Sequence, residues 1–305
     1  MPKRDLLTVK DFSKTEITKL LLDAKMIKKS PKAYATALKD KTLLMLFEKP
    51  SLRTRVTFNV GIHQLGGFAI YLSPAEISLG KRESVADVAR NLERMVQGIM
   101  ARTFSHKAVE ELAEHAHIPV INGLTDYNHP CQAMADYMTL LEVKKDLAGK
   151  KLAYVGDGNN VAVSLIHTAA RLGVHLAVAT PPGYEPAAEV VQWARANGGE
   201  TGCKIDLPHD PIAAVTDADA IYTDVWTSMG QEAESTKRLS IFRPYQVNEA
   251  LFAHAHSDAI FLHCLPAHRG EEVTDSVIES ERSFVFQQAE NRLHAQKAIM
   301  LNLMR

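Results

Sequence analysis

Lys49-Pro50-Ser51-Leu52-Arg53-Thr54-Arg55 is the junction that decides how this 305-residue chain is built. Ahead of it runs Thr42-Leu43-Leu44-Met45-Leu46-Phe47, a continuous apolar stretch that reads as a strand buried on both faces. Behind it Val56, Phe58, Val60, Ile62 and Leu65 are spaced to put an apolar stripe on a helix. The Pro-Ser turn hands the chain from strand to helix, with Ser51 placed as the N-cap. Two arginines and a threonine then fall in the first helical turn. Backbone N–H groups, the positive end of the helix dipole, two hydroxyls and two guanidiniums converge there. Arginine in a first turn opposes the dipole, so a bound anion is the natural compensation. The other reading is two solvated arginines on an exposed helix end. We read the stretch as a socket for a compact dianion, of which phosphate is the simplest.

The rest of the composition bounds the class. A chain of 305 residues is about two domains long, and 46% hydrophobic with 23% charged residues is ordinary for a globular enzyme. A net charge of −1 argues against broad binding to nucleic acid or to anionic membrane, while leaving room for a local basic pocket. No apolar run reaches membrane-spanning length, and the start turns polar again by Lys10-Asp11, so neither a membrane span nor a signal-peptide core is expected. Cys131, Cys203 and Cys264 are far apart and odd in number, which points to a reduced, cytoplasmic protein without a disulfide framework.

Strand and helix alternate along the chain. Helices are expected over 13–28 (opened by Ser13 with Glu16 three residues on), 84–96, 106–116 and 130–143, with strands at 42–47, 68–72, 98–101 and 118–121. The polar segment 144–150 looks like a boundary. Alternation then restarts with strands at 152–155, 176–179, 220–223 and 260–263, helices at 160–172 and 186–196, and a last helix over 291–304. The expectation is α/β throughout: two doubly wound domains with mostly parallel sheets, 1–146 and 147–305. The last helix, about 289–304, is expected to pack back on the first domain.

In open parallel sheets ligands bind beyond the carboxyl ends of the strands, which turns position along a strand into a test of function. Ser51, Arg53 and Thr54 follow the first strand, Arg102 the third, and His129 and Gln132 the fourth. Gly156-Asp157-Gly158-Asn159-Asn160 follows the 152–155 strand, Asp224 the 220–223 strand and His263-Cys264-Leu265-Pro266 the 260–263 strand. All fall at one edge, so the site is expected in a cleft between the two halves. Singly, each has an ordinary explanation. Arg102 could pair on the surface, His129 could satisfy a loop backbone, and Asp224 could cap or form a turn. Cys264 could be a small buried apolar residue, and Asn159 with Asn160 a tight turn. Gly156-x-Gly158 resembles the start of a dinucleotide fingerprint, but its third glycine would fall at Val161, and no acidic residue ends the next strand. His263, Cys264 and His268 lack a further ligand at zinc-like spacing, so neither metal nor cofactor is expected.

Assembled, these residues resemble the aspartate/ornithine carbamoyltransferase family over essentially the whole length. Ser51-Leu52-Arg53-Thr54-Arg55 is similar to its S-T-R-T-R signature, with Leu52 in place of a threonine. His129-Pro130-Cys131-Gln132 matches H-P-C-Q, Asp224-Val225-Trp226-Thr227-Ser228-Met229-Gly230 resembles D-x-W-x-S-M-G, and His263-Cys264-Leu265-Pro266 matches H-C-L-P. The last two separate the ornithine-using branch from the aspartate-using one. Ser78 stands where bacterial members often carry a glutamine that reaches a neighbouring subunit's ligand, with Lys81 as a possible substitute.

The resemblance implies carbamoyl transfer from carbamoyl phosphate to the δ-amine of L-ornithine, by a homo-oligomer built on trimers. It assigns carbamoyl phosphate to Ser51, Leu52, Arg53, Thr54, Ser78, Arg102, His129, Gln132, Cys264, Leu265 and Arg292. It assigns ornithine to Asn160, Asp224, Ser228 and Met229, and the chemistry to Cys264, Arg102 and His129. Two alternatives stay open: a related acceptor such as putrescine or N-acetylornithine, and a two-domain nucleotide or small-ligand binding protein.

Overall fold

The computed structural model describes residues 3–77, 79–227 and 232–305. Strands β1 (Thr42–Phe47), β2 (Phe68–Leu72), β3 (Gly98–Arg102) and β4 (Val120–Leu124) form one sheet in the order β2-β1-β3-β4. Strands β5 (Lys151–Val155), β6 (His175–Ala179), β7 (Ile205–Asp206), β8 (Ala220–Thr223) and β9 (Ile260–His263) form a second, in the order β7-β6-β5-β8-β9. Every pairing between these strands is parallel. The chain divides into a first unit, Met1–Met138 with Glu290–Arg305, and a second, Thr139–Ala289. The division falls inside the helix Pro130–Lys144 rather than in the polar loop after it, and the last helix belongs to the first unit from Glu290 onward.

Both strand orders reverse direction once, between β1 and β3 in the first sheet and between β5 and β8 in the second. Such a switch point leaves a crevice beyond the strand tips, because the flanking connections run off to opposite sides. The segments leaving β1, β3, β5 and β8 are those that carry Ser51–Thr54, Arg102–Thr103, Gly156–Asn160 and Asp224.

Local sequence explains most of the elements. Leu43 to Phe47 are each no more than 3% exposed, so β1 is buried on both faces. Leu44 and Leu46 pack with Ile99, Ala101, Val109 and Leu112 in the first core. In the second unit Val155, Ile221 and Phe261 pack with Val215, Val247 and Val277. Helix Lys14–Lys29 opens on the reciprocal Ser13–Glu16 capping box.

Several boundaries differ from the sequence reading. The helix expected over 84–96 ends at Leu92, the one expected over 186–196 spans Ala188–Gly198, and the last begins at Val285. The strand expected at 118–121 runs Val120–Leu124, because Pro119 starts it late and the bulged register keeps Leu124 opposite Arg102. Two-residue β7 was too short to leave a pattern. On the helix Leu52–Gln64 the buried face is Thr54, Phe58, Gly61 and Ile62, continued by Leu65 at its C-cap. Val56 and Val60 are not part of it. They join Leu52 at i, i+4, i+8 on an exposed stripe, at 47%, 36% and 75% exposure.

Candidate active site

In the first unit the expected anion socket forms at the start of Leu52–Gln64. Ser51 caps it, its hydroxyl accepting from the Thr54 N–H at 3.2 Å. The Leu52 side chain points outward, so at this position only the backbone serves a ligand; Arg53 is half-buried. Thr54 is fully buried and its hydroxyl accepts from Arg292 Nη2 at 2.7 Å, across 238 residues of chain. Further along the same helix, a Cβ on Gly61 would lie 3.0 Å from Met300 Cε and 3.3 Å from Lys297 Cγ, so the glycine leaves room for side chains of the last helix.

Arg102 is buried at the tip of β3, at a register shift against β4. Bulges at strand ends re-aim side chains next to functional sites. His129 is buried ahead of the helix Pro130–Lys144, its carbonyl accepting from the Gln132 and Ala133 N–H groups at 3.1 and 3.3 Å. Burial, and then the charges of Arg292, Arg102 and Arg53, hold its imidazole well below the usual histidine range. That favours the neutral imidazole, which carries one ring N–H. Three guanidiniums acting on one buried imidazole make a strongly positive pocket, matched to a dianion. Arg102, 5% exposed, is not a surface residue.

Beside them Cys131 is fully buried, its thiol on the Asn122 carbonyl at 3.3 Å and pushed up by burial to about 12, so it is no nucleophile. Gln132, 1% exposed, donates its Nε2 to Asp136 Oδ1 at 2.7 Å. Lys49 is committed elsewhere, paired with Asp126 and 4.3 Å over the Phe104 ring.

In the second unit Asp224 is the hub. It is 5% exposed; its Oδ1 accepts from the Cys264 thiol at 2.9 Å and from the Val225 N–H at 2.8 Å. Its Oδ2 accepts from Asn159 Nδ2 at 2.8 Å. Asn159 in turn caps the helix Asn160–Leu172, its Oδ1 accepting from the Val161 and Ala162 N–H groups. The tips of β5, β8 and β9 are thus tied through one carboxylate. Asn160 is the first residue of that helix, its carbonyl accepting from the Ser164 hydroxyl at 3.0 Å. Sequence reasoning treated Asn159 as a turn former; the signal that marks it is an Asn directly before a helical pattern.

The loop after β9 is fixed from behind. His263 Nδ1 accepts from the Leu265 N–H at 2.8 Å, so the ring proton sits on Nε2, facing Glu272 Oε1 at 3.2 Å. Glu272, fully buried, also accepts from the His268 N–H at 2.6 Å. Leu265 is held at φ +56, a left-handed conformation that its N–H bond to His263 helps to pin. Asp224, His263 and Cys264 have donor types that suit a metal and lie close together, but both His263 ring nitrogens face protein partners.

Arg238 was not anticipated. Buried between the Tyr184 and Phe242 rings at 4.9 and 5.0 Å, it bonds the Trp226 carbonyl and the Asp157 carboxylate. It thereby holds the segment after Asp224 to the loop after β5. Burial pushes Asp157 up to about 6, against the pull of Arg238. A carboxyl raised on folding contributes stability that is complete below its unfolded pKa and lost as pH rises through its folded one. We therefore expect stability to fall by about 3 kcal/mol between pH 4 and 6 on this residue's account, and Asp157→Asn to flatten that slope in urea unfolding across the range.

Ser78, Ser228 and Met229 lie outside the described residues. The others fall into two groups, one in each unit: Ser51, Leu52, Arg53, Thr54, Arg102, His129, Gln132 and Arg292 in the first, Asn160, Asp224, Cys264 and Leu265 in the second.

Known proteins match this arrangement along the whole chain. The family model for the carbamoyl-P binding domain of aspartate/ornithine carbamoyltransferase matches residues 4–142, and that for the Asp/Orn binding domain residues 148–303. An ornithine carbamoyltransferase of Thermococcus kodakarensis is 56% identical over 304 residues, covering 99% of this chain and 96% of that protein. A Pyrococcus furiosus protein named as the anabolic ornithine carbamoyltransferase is 55% identical over 304 residues, with the same coverage of 99% and 96%. The solved Pyrococcus furiosus ornithine carbamoyltransferase superposes with a TM-score of 0.96 at 55% identity, covering 99% of this chain and 97% of that one. Two domain matches in sequence order and near-complete superposition leave one conclusion: the chain belongs to the aspartate/ornithine carbamoyltransferase family.

Proposed function

We propose that the protein transfers the carbamoyl group of carbamoyl phosphate to the δ-amine of L-ornithine, giving L-citrulline and phosphate. The observation that carries this is the neutral His129 among Arg53, Arg102 and Arg292. The cations and the capped helix start neutralise the phosphate, while a neutral imidazole carries an N–H suited to an oxygen. Carbamoyl phosphate is a dianionic leaving group joined to an amide-like carbonyl, so it asks for both. Ser51, the Leu52 backbone, Arg53 and Thr54 take the phosphate. Arg102, His129 and Thr54 donate to the carbonyl oxygen as it gains charge in the tetrahedral intermediate. The amine lone pair forms the new C–N bond, the C–O bond to phosphate breaks, and the proton shed by the amine leaves on the departing phosphate.

Asp224 takes the α-ammonium of ornithine, supported by Asn160, Ser228 and Met229. Cys264 acts from beside Asp224 as a thiol rather than as a covalent nucleophile; its S–H donates to the carboxylate at 2.9 Å. For the Cys264 and Leu265 carbonyls, as holders of the carbamoyl nitrogen, the reading rests on the family alone. A homotrimer in the cytoplasm accompanies the proposal. The exposed apolar stripe Leu52, Val56 and Val60, with Phe68 and Ile70 on edge strand β2, supports assembly. Among the described residues no helix is long and apolar enough to cross a membrane.

Nucleotide binding is disfavoured by a specific contact. The Gly158 N–H, which a pyrophosphate would use, donates to the Tyr184 carbonyl at 2.9 Å. A Cβ on Gly158 would sit 2.3 Å from Pro186 N, so the chain's own backbone fills that approach. Purified protein given carbamoyl phosphate and ornithine should form citrulline with one phosphate released per turnover. Putrescine, N-acetylornithine and aspartate should compete poorly as acceptors. Absence of citrulline, or faster turnover of another acceptor, would overturn the assignment.

A further inference from the structure

Gln132 and Asp136 lie one turn apart on the helix Pro130–Lys144, each 1% exposed, with Gln132 Nε2 2.7 Å from Asp136 Oδ1. Glutamine and aspartate at i, i+4 are well placed for this bond. An amide end can be exchanged for its other end at little cost in shape, so a glutamine alone does not define which end it presents. Asp136 does define it, because its Oδ1 accepts from Gln132 Nε2. The NH2 group must face Asp136, and the amide oxygen must face away. That oxygen, Gln132 Oε1, is buried and has no hydrogen-bond partner among the described residues. A buried carbonyl left unpaired costs about 1–3 kcal/mol, which a ligand offering N–H would recover.

We propose that Asp136 is a positioning residue that turns Gln132 into a reader of N–H groups, and so makes the pocket select a carbamoyl over an acyl phosphate. This rests on the carbamoyl-transfer reading. Carbamoyl phosphate and acetyl phosphate share the phosphate and the carbonyl; they differ in NH2 against CH3. The arginines and His129 serve both alike. Only a fixed acceptor separates them, and a free amide would forfeit part of the difference by rotating.

The test measures affinities of wild type, Asp136→Asn and Gln132→Met for carbamoyl phosphate, acetyl phosphate and inorganic phosphate by competition binding, which needs no turnover. Asp136→Asn can offer either a donor or an acceptor, so Gln132 is released from its single orientation. The expected result is a loss of about tenfold in the carbamoyl-over-acetyl preference, equivalent to ~1.4 kcal/mol, with phosphate affinity changed less than about twofold. In turnover the KM for carbamoyl phosphate should rise more than kcat falls. Gln132→Met should lose the same preference, and the double variant should lose no more than either single one. An unchanged preference, or an equal loss for all three anions, overturns the proposal.

Should Asp136→Asn fail to fold, 15N-labelled wild type remains informative. The Gln132 side-chain amide signals, assigned by their loss in Gln132→Met, should stay slowly exchanging and nearly unshifted when carbamoyl phosphate binds. Amide protons that leave Asp136 for the ligand would refute it. A wild type that makes no citrulline would sink the functional reading instead, while the binding preference would still report on Asp136.

Discussion

Arg53→Ala should weaken carbamoyl phosphate binding at least about a hundredfold while leaving the protein folded. The arginine is half-buried in the first turn of Leu52–Gln64, and its charge acts on His129 along with those of Arg292 and Arg102. A guanidinium makes two parallel charge-assisted bonds to a phosphate, each worth about 1.5–3 kcal/mol. Losing both costs about 3–6 kcal/mol, or a factor of ~10²–10⁴. Folding should tolerate the change, because the helix keeps its Ser51 cap and its buried face of Thr54, Phe58 and Ile62. Arg53→Lys should recover only part of the affinity, since an ammonium keeps the charge but not the fork. Inorganic phosphate should lose affinity in parallel, because it offers the same oxygens. Calorimetric titration with both anions checks this; undiminished binding would mean that the helix start holds something else.

What the sequence could disclose divides along physical lines. Features carried by neighbours in the chain were legible. The Ser51 cap, the buried run of β1 and the position of each polar residue relative to a strand tip depend on spacing of a few residues. The strand orders were not written locally, yet the two switch points select four of the six loops that the strand tips did. Contacts made across long stretches of chain were not legible from spacing. Arg292 reaches Thr54 across 238 residues, and Gly61 leaves room for the side chains of Met300 and Lys297. Arg238 lies 81 residues from Asp157, and only folding shows that it bridges two loops.

Exposure was harder to read than periodicity. Val56 and Val60 suit a core stripe by residue type, but 3.6 residues per turn places them with Leu52, away from Phe58 and Ile62. Asn159 was read only as a turn former, and Asp136 went unnoticed, for a different reason. Each acts through another residue, Asn159 by holding Asp224 and Asp136 by orienting Gln132.

Asp224→Ala should separate the two substrates, raising the KM for ornithine about a hundredfold or more with carbamoyl phosphate affinity kept within about threefold. The carboxylate is 5% exposed and accepts from Cys264 Sγ, the Val225 N–H and Asn159 Nδ2, all within 2.9 Å. Pairing an α-ammonium with a carboxylate this well buried is worth about 3–5 kcal/mol when one partner is removed. Ser51, Leu52, Arg53 and Thr54, assigned to the phosphate, belong to the other unit, and the Asp224 carboxylate bonds to Cys264, Val225 and Asn159. Alanine also strips a partner from Asn159 and from Cys264, so some loss of stability is expected alongside. Asp224→Asn is the cleaner variant. It keeps the size and one acceptor oxygen, and removes the charge that an ammonium requires. If the site works as described, the asparagine variant should lose most of the ornithine affinity with a smaller change in unfolding midpoint than alanine. Titration of each variant with carbamoyl phosphate alone, followed by initial rates against ornithine, gives both quantities. A collapse of carbamoyl phosphate binding in Asp224→Asn would contradict the division of substrates between the two groups, because a carboxylate has no business holding a dianion.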